Sequence, residues 1–207
     1  MIHVTVFTQG YYFANSYLIY DESTMEGAII DPTVPYTALQ NDSFLQQVKV
    51  KYILLTHCHY DHLLYYEEWR EKTKAKTAIG KKDNEGLLSG QINLSPLFIH
   101  KNQSYAEADI LLQDGDTLPL GNIEINVLHT PGHTAGSVCY LADCHLFSGD
   151  TLFAEGDVGR TDFPTGDRRI LCESIRRLMK LPSDIHVYPG HGPYTTVLAE
   201  QEYHKFN

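Results

Sequence analysis

The sequence predicts an α/β protein built as a four-layer sandwich, with two mixed β-sheets packed face to face and helices on both outer surfaces. Three observations carry that expectation. Strand-like apolar runs come first and a helical stretch follows, and this order appears once in each half of the chain. Several of the strands run directly into Asp, Gly or His punctuation. No Pro/Ser-rich linker and no shift in composition divides the chain, so a single domain over residues 1–207 is expected.

Taken in order, residues 4–7, 16–20 and 27–30 read as strands, the last closing at Asp31-Pro32. Residues 37–48 read as a helix, with Leu39, Leu45 and Val48 roughly on one face. Residues 51–56 form an apolar strand that runs straight into His57-Cys58-His59-Tyr60-Asp61-His62, and a helix is expected from 62 to about 72. A short strand follows at 77–79. Residues 81–108 carry the weakest pattern, a short helix and an irregular loop, and little chemistry is expected there. In the second half, strands at 110–112, 117–120 and 123–129 precede the loop Thr130-Pro131-Gly132-His133-Thr134. A hairpin turning at Ala142-Asp143 joins 137–141 to 145–148. A helix over 167–180 has Asp167 at its N-cap and Leu181-Pro182 at its end. Residues 185–188 make a last strand before Pro189-Gly190-His191-Gly192. No sequence repeat relates the two halves.

A chain of 207 residues, 43% of them hydrophobic, sustains a buried core. With 26 acidic against 16 basic residues, its formal charge of -10 repels phosphate backbones, and nucleic acid is not an expected partner. No apolar run approaches the roughly 20 residues a membrane span needs. The N-terminus lacks a basic segment followed by an apolar stretch, so a cytoplasmic protein with no membrane partner is expected. The four cysteines (Cys58, Cys139, Cys144, Cys172) contain no CxxC pair, which points to reduced thiols. Cys139 and Cys144 could face each other across the hairpin, but a reducing compartment argues against a bond. Cys58 is expected to point into the core and Cys172 to pack from its helix.

The strongest chemical signal is His57-x-His59-x-Asp61-His62. On an extended segment residues two apart project to one side, so His57 and His59 can grip one ion at about 2.0–2.1 Å. Where the chain turns into a helix, Asp61 and His62 leave that line and can address a second position. Such donors suit zinc, iron or manganese rather than magnesium or calcium. A lone HxH is more often surface ornament, and a lone Asp before a helix is more often a cap. The full HxHxDH at the mouth of an apolar strand is far more specific. His133 sits in a tight turn, where Gly132 is read as letting the backbone bend close to an ion. Asp150 follows Phe147-Ser148-Gly149, and His191 follows Pro189-Gly190. Each alone reads as a turn residue; at successive strand ends they support one another. His3, His100, His129, His145, His186 and His204 have no partner pattern and read as structural or exposed.

The order HxHxDH, PGHT, GDTLF and PGH resembles the metallo-β-lactamase superfamily, and within it the small glyoxalase II (hydroxyacylglutathione hydrolase) type. The resemblance runs from about Gly10 to Thr196. It implies an αββα fold and two divalent metal ions per chain, zinc first, with iron or manganese as alternatives. It further implies His57, His59 and His133 at one ion, Asp61, His62 and His191 at the other, and Asp150 bridging both. Asp31 matches the family's first motif and is read as orienting a ligand histidine. The chemistry this implies is attack of a shared, acidified hydroxide on a small-molecule acyl-thiol such as S-lactoylglutathione, with Asp61 and Asp150 as catalytic groups.

Two departures from the family bear on specificity. Full-length glyoxalase II carries a C-terminal helical domain that supplies basic glutathione contacts, and no such domain is expected here. Gly159-Arg160-Thr161-Asp162-Phe163 follows the Asp150 loop instead, and Arg160 either binds a substrate carboxylate bidentately or pairs with Asp162 or Asp157. The nearest rival is a mononuclear iron persulfide dioxygenase, which would use His57, His133 and Asp150. Against it, residues 189–196 read Pro-Gly-His-Gly-Pro-Tyr-Thr-Thr, which resembles the small hydrolases. A nuclease relative would carry a basic face, and a flavodiiron reductase would carry Glu in place of His59. A non-enzymatic metal-binding relative would lack one or more ligands, and none is missing here.

Overall fold

Both faces of the central strands are covered, which is why they read as unbroken apolar runs rather than alternating ones. The protein, described here by a computed structural model for residues 1–8 and 14–205, places six strands in chain order in its first sheet. These are β1 (Ile2–Phe7), β2 (Ser16–Asp21), β3 (Glu26–Ile30), β4 (Lys49–Leu55), β5 (Lys76–Gly80) and β6 (Ile110–Leu112). β1 to β3 are antiparallel and β3 to β6 parallel. On β2, Tyr17 and Ile19 face the other sheet while Leu18 and Tyr20 face the helices; on β4 the same division separates Tyr52 and Leu54 from Ile53 and Leu55. Residues 110–112, which open the second half in the sequence reading, complete this first sheet.

The second sheet holds β7 (Thr117–Leu120), β8 (Ile123–His129), β9 (Val138–Ala142), β10 (His145–Gly149), β11 (His186–Pro189) and β12 (Thr195–Thr196), again in chain order. All its pairings are antiparallel except β10 with β11. Leu118, Leu120, Ile123, Ile125 and Val127 meet the first sheet in the inner core. The helices are α1 (Thr37–Gln40), α2 (Tyr66–Thr73), α3 (Asn84–Leu88), α4 (Gly90–Asn93), α5 (Ser95–Ile99), α6 (Arg168–Leu178) and α7 (Val197–Tyr203). Trp69 of α2 and Leu87 of α3 pack on the first sheet, and Leu178 of α6 and Val197 of α7 on the second. Three apolar interfaces therefore separate four layers, the αββα sandwich that the sequence predicts. No helix among the described residues is long and apolar enough to cross a membrane.

Local differences have local causes. The helix expected over 37–48 breaks after α1, because the Asp42 carboxylate accepts the N–H groups of Phe44 (2.8 Å) and Leu45 (3.1 Å) and offers the backbone an alternative to helix. A 3₁₀ turn at Leu45–Gln47 follows. The helix expected from His62 is a 3₁₀ turn, Tyr60–His62, and α2 starts only at Tyr66. There the Tyr65 N–H donates to the Pro32 carbonyl at 2.9 Å, turning the chain aside first. Residues 81–108 contain three short helices rather than one. Asp167 caps α6 as expected, accepting from the Ile170 N–H. β12 and α7 escaped the sequence reading; Thr196 caps α7 by accepting from the Ala199 N–H. The four cysteines are free: Cys139 is buried on β9, Cys144 lies exposed in the hairpin turn, and Cys58 joins the core.

Candidate metal centre

Asp31 follows β3, His57 follows β4, His133 follows β8, Asp150 follows β10 and His191 follows β11. In each sheet these strands run in the same direction, so all five exits lie on one rim. There the sheets are stitched together. The Val138 N–H donates to the Thr56 carbonyl at 2.9 Å, the Tyr140 hydroxyl to the Leu55 carbonyl at 2.7 Å, and the Asn15 N–H to the Gly190 carbonyl at 2.7 Å.

This rim brings all seven candidate ligands together. The donor atoms of His57, His59 and His133 lie within 4.8 Å of one another, and so do those of Asp61, His62 and His191. A third such group contains His57, His62 and Asp150. Asp150 spans the other two: one oxygen is 3.4 Å from His62 Nε2, and the other is 3.6 Å from both His133 Nε2 and His191 Nε2. Gly190 makes this packing feasible, since a Cβ there would lie 2.1 Å from Asp150 Oδ1. Gly132 has a different duty from the expected one. Its φ is +135°, and a Cβ would strike the Leu171 backbone at the start of α6, so it admits a helix rather than an ion.

Three of the five rings are held from behind, His57 by the Thr56 hydroxyl at 3.0 Å and His62 and His133 as follows. The Asp31 carboxylate meets His62 Nδ1 at 2.9 Å, and it also accepts the Thr56 N–H (2.8 Å) and hydroxyl (2.6 Å). His133 Nδ1 meets the Arg160 carbonyl oxygen at 2.7 Å. A carbonyl only accepts, so Nδ1 carries the proton and Nε2 presents its lone pair to the cluster. Burial, reinforced by the neighbouring histidines, pushes His57 well below the usual imidazole range, and burial takes His59 down to about 3. Burial also opposes charge on His62, but Asp150, Asp31 and Asp61 overcome it and raise that ring well above its usual value. Asp150 is held well below the carboxylate range by His62, against burial.

The donor set suits a metal. His57 and His62 Nε2 and Asp150 Oδ1 are buried with no hydrogen-bond partner, a state natural proteins rarely leave to polar atoms. Imidazoles and carboxylates converging in this way fit divalent zinc, iron or manganese. The cluster floors a pocket of about 380 Å³ walled by Leu94, Phe98, Phe153, Val158 and Phe163. Arg160 borders it too, but Asp162 grips its guanidinium twice, at 2.7 and 2.6 Å, and the group lies 3.9 Å over the Phe163 ring. Sequence reasoning reached the Arg160 side chain and missed its backbone oxygen, which no residue pattern announces. It also missed Glu200, whose buried carboxylate accepts the N–H groups of Glu155 (3.1 Å) and Gly156 (2.8 Å) and so fastens the pocket loop to α7.

A two-sheet sandwich with a convergent His/Asp cluster on one rim defines the class of αββα proteins with a metal-binding rim. Residues 10–191 match the metallo-β-lactamase superfamily, and the chain belongs to it. Hydroxyacylglutathione hydrolase GloC of Haemophilus influenzae is 32% identical over 218 residues, spanning 100% of this chain and 96% of that protein. Among solved structures, the B3 metallo-β-lactamase BLEG-1 superposes with a TM-score of 0.88 at 32% identity, covering 100% of this chain and 99% of that one. TTHA1623 in a di-iron-bound form gives a TM-score of 0.82 at 29% identity, covering 99% and 100%.

Proposed function

We propose that this chain is a dinuclear hydrolase of acyl thioesters, S-lactoylglutathione among them, with zinc as its metal and iron or manganese as alternatives. The observation that carries the reading is Asp150, which reaches toward both three-donor groups at the floor of an apolar pocket. The likeness to GloC over almost the whole of both chains supports the substrate class, and the likeness to a di-iron structure supports two ions.

Ions held by His57, His59, His133, Asp61, His62, His191 and Asp150 would supply an acidified water and a Lewis acid for the substrate carbonyl. The chain's own residues do the positioning. Asp31 and the Arg160 carbonyl fix the rings of His62 and His133, so little reorganisation is left for the reaction. Asp61 lines the pocket 3.3 Å from His191 Nε2, where its carboxylate can orient the attacking water. The walls receive the carbon skeleton of the acyl-thiol and keep bulk solvent out. A thiolate leaves with little need of a proton, so the pocket has no need of a strong general acid. Arg160, neutralised by Asp162, leaves the far carboxylates of glutathione weakly held, which favours a high KM and a broad range of thioesters.

Metal analysis of protein purified without chelator, paired with thioester hydrolysis, tests this. Two ions per chain and turnover of S-lactoylglutathione at high KM are expected. Saturation at one ion, with His62 and His191 dispensable, would favour the persulfide dioxygenase. Two bound ions with no thioester turnover would reject the substrate class.

A further inference from the structure

The loop between β5 and α3 buries a carboxylate that lines no part of the pocket. Asp83 is only 2% exposed and has no cationic partner among the described residues. Three donors satisfy it instead. The Cys58 N–H donates at 3.0 Å, the Thr134 hydroxyl at 2.7 Å and the Gly136 N–H at 2.7 Å. A carboxylate buried without a counter-ion is costly to keep. Only an acceptor with two oxygens can take all three of these bonds; an amide would turn an N–H₂ toward a donor.

The donors are well placed. Cys58 lies between His57 and His59, Thr134 follows His133, and Gly136 closes the same loop. One side chain thus ties the two segments that supply the first donor group, across 25, 51 and 53 positions of sequence. Across that tie His59 Nδ1 and His133 Nε2 stand 2.9 Å apart. Asp61, His62 and His191 receive no bond from Asp83; of that second group His62 is held by Asp31, which also reaches His57 through the Thr56 hydroxyl.

We propose that Asp83 is a positioning residue that sets the spacing of His57 and His59 against His133, and with it the metal affinity of that group alone. This rests on reading those histidines as ligands and not on the substrate, so its test needs no turnover. Zinc affinity is measured by competition with a chromophoric chelator in two backgrounds. His191→Ala cripples the second group and leaves the first, whereas His133→Ala does the reverse. Asp83→Asn is expected to weaken zinc by about 10–100-fold with His191→Ala and to leave it within about threefold with His133→Ala. Thr134→Val removes one of the three bonds and should give a smaller loss in the same background; it carries the test if Asp83→Asn does not fold. Equal losses in both backgrounds would mark Asp83 as a general stabiliser and overturn the proposal, as would no loss in either. If His133→Ala alone leaves two tight zinc sites, the ligand reading fails and the proposal falls with it.

Discussion

Asp150 is a side chain with two sets of neighbours, and its removal should act on both. Asp150→Ala is expected to lower turnover by several orders of magnitude while circular dichroism and thermal melting still report a folded chain. Near-normal turnover with two bound ions would disprove a shared role. Arg160 calls for the opposite outcome. Its guanidinium is already held by Asp162 and lies against Phe163. Exposed pairs contribute little. Arg160→Ala should therefore leave KM for S-lactoylglutathione almost unchanged, and a large rise in KM would show that the pair opens to grip substrate. The convergence of His57, His59, Asp61 and His62 as candidate ligands is legible in the sequence because ligand chemistry restricts residue types and an extended segment restricts spacing. Asp83, Glu200 and the Arg160 carbonyl are not legible. Each acts on partners tens of residues away, and nothing local distinguishes a buried carboxylate from an exposed one.

Strands and turns were legible where burial left a period or an unbroken apolar run, as in β2, β4 and β8. They were not where a side chain rewired the backbone, as Asp42 does after α1. Asp21, at the end of β2, is an instance with a measurable consequence. It is sealed from solvent and accepts the Asn122 N–H at 2.9 Å from the β7–β8 turn, the Ser23 N–H and hydroxyl, and the Thr24 hydroxyl. It thus clips the two sheets together at the rim opposite the candidate metal centre. The Asn122 N–H first, then Ser23 and Thr24 against the effect of burial, hold its carboxyl below the usual carboxylate range. A depressed carboxyl stabilises the fold at pH above its unfolded value of about 4 and loses that contribution as pH falls through the folded value. Asp21→Asn should therefore be less stable than the parent in urea at pH 7, with the two curves converging toward pH 2. A difference that stayed constant over that range would exclude the clip as the cause. Glu200 offers a second element-scale test. Glu200→Gln should loosen the loop that carries Phe153 and raise KM more than it lowers kcat, as expected when uniform binding is lost.

The molecule as a whole is two sheets, each made by one continuous part of the chain, and the candidate ligands come from both. Any ion held at that rim bridges the sheets. A ligand at a thousand times its Kd stabilises by about 4 kcal/mol, so chelation should lower the melting temperature markedly, and added zinc should restore it. A melting temperature indifferent to chelator would argue that the rim holds no ion in the folded protein. The division of the chain also dictates an order of events during synthesis. Every three-donor group takes two members from His57, His59, Asp61 and His62 and its third from His133, Asp150 or His191. A nascent chain that has folded only its first sheet owns two-thirds of each group and completes none. The group with His191 can close only after the ribosome has released β11, so loading of that group would report that the second sheet has been made as well as the first.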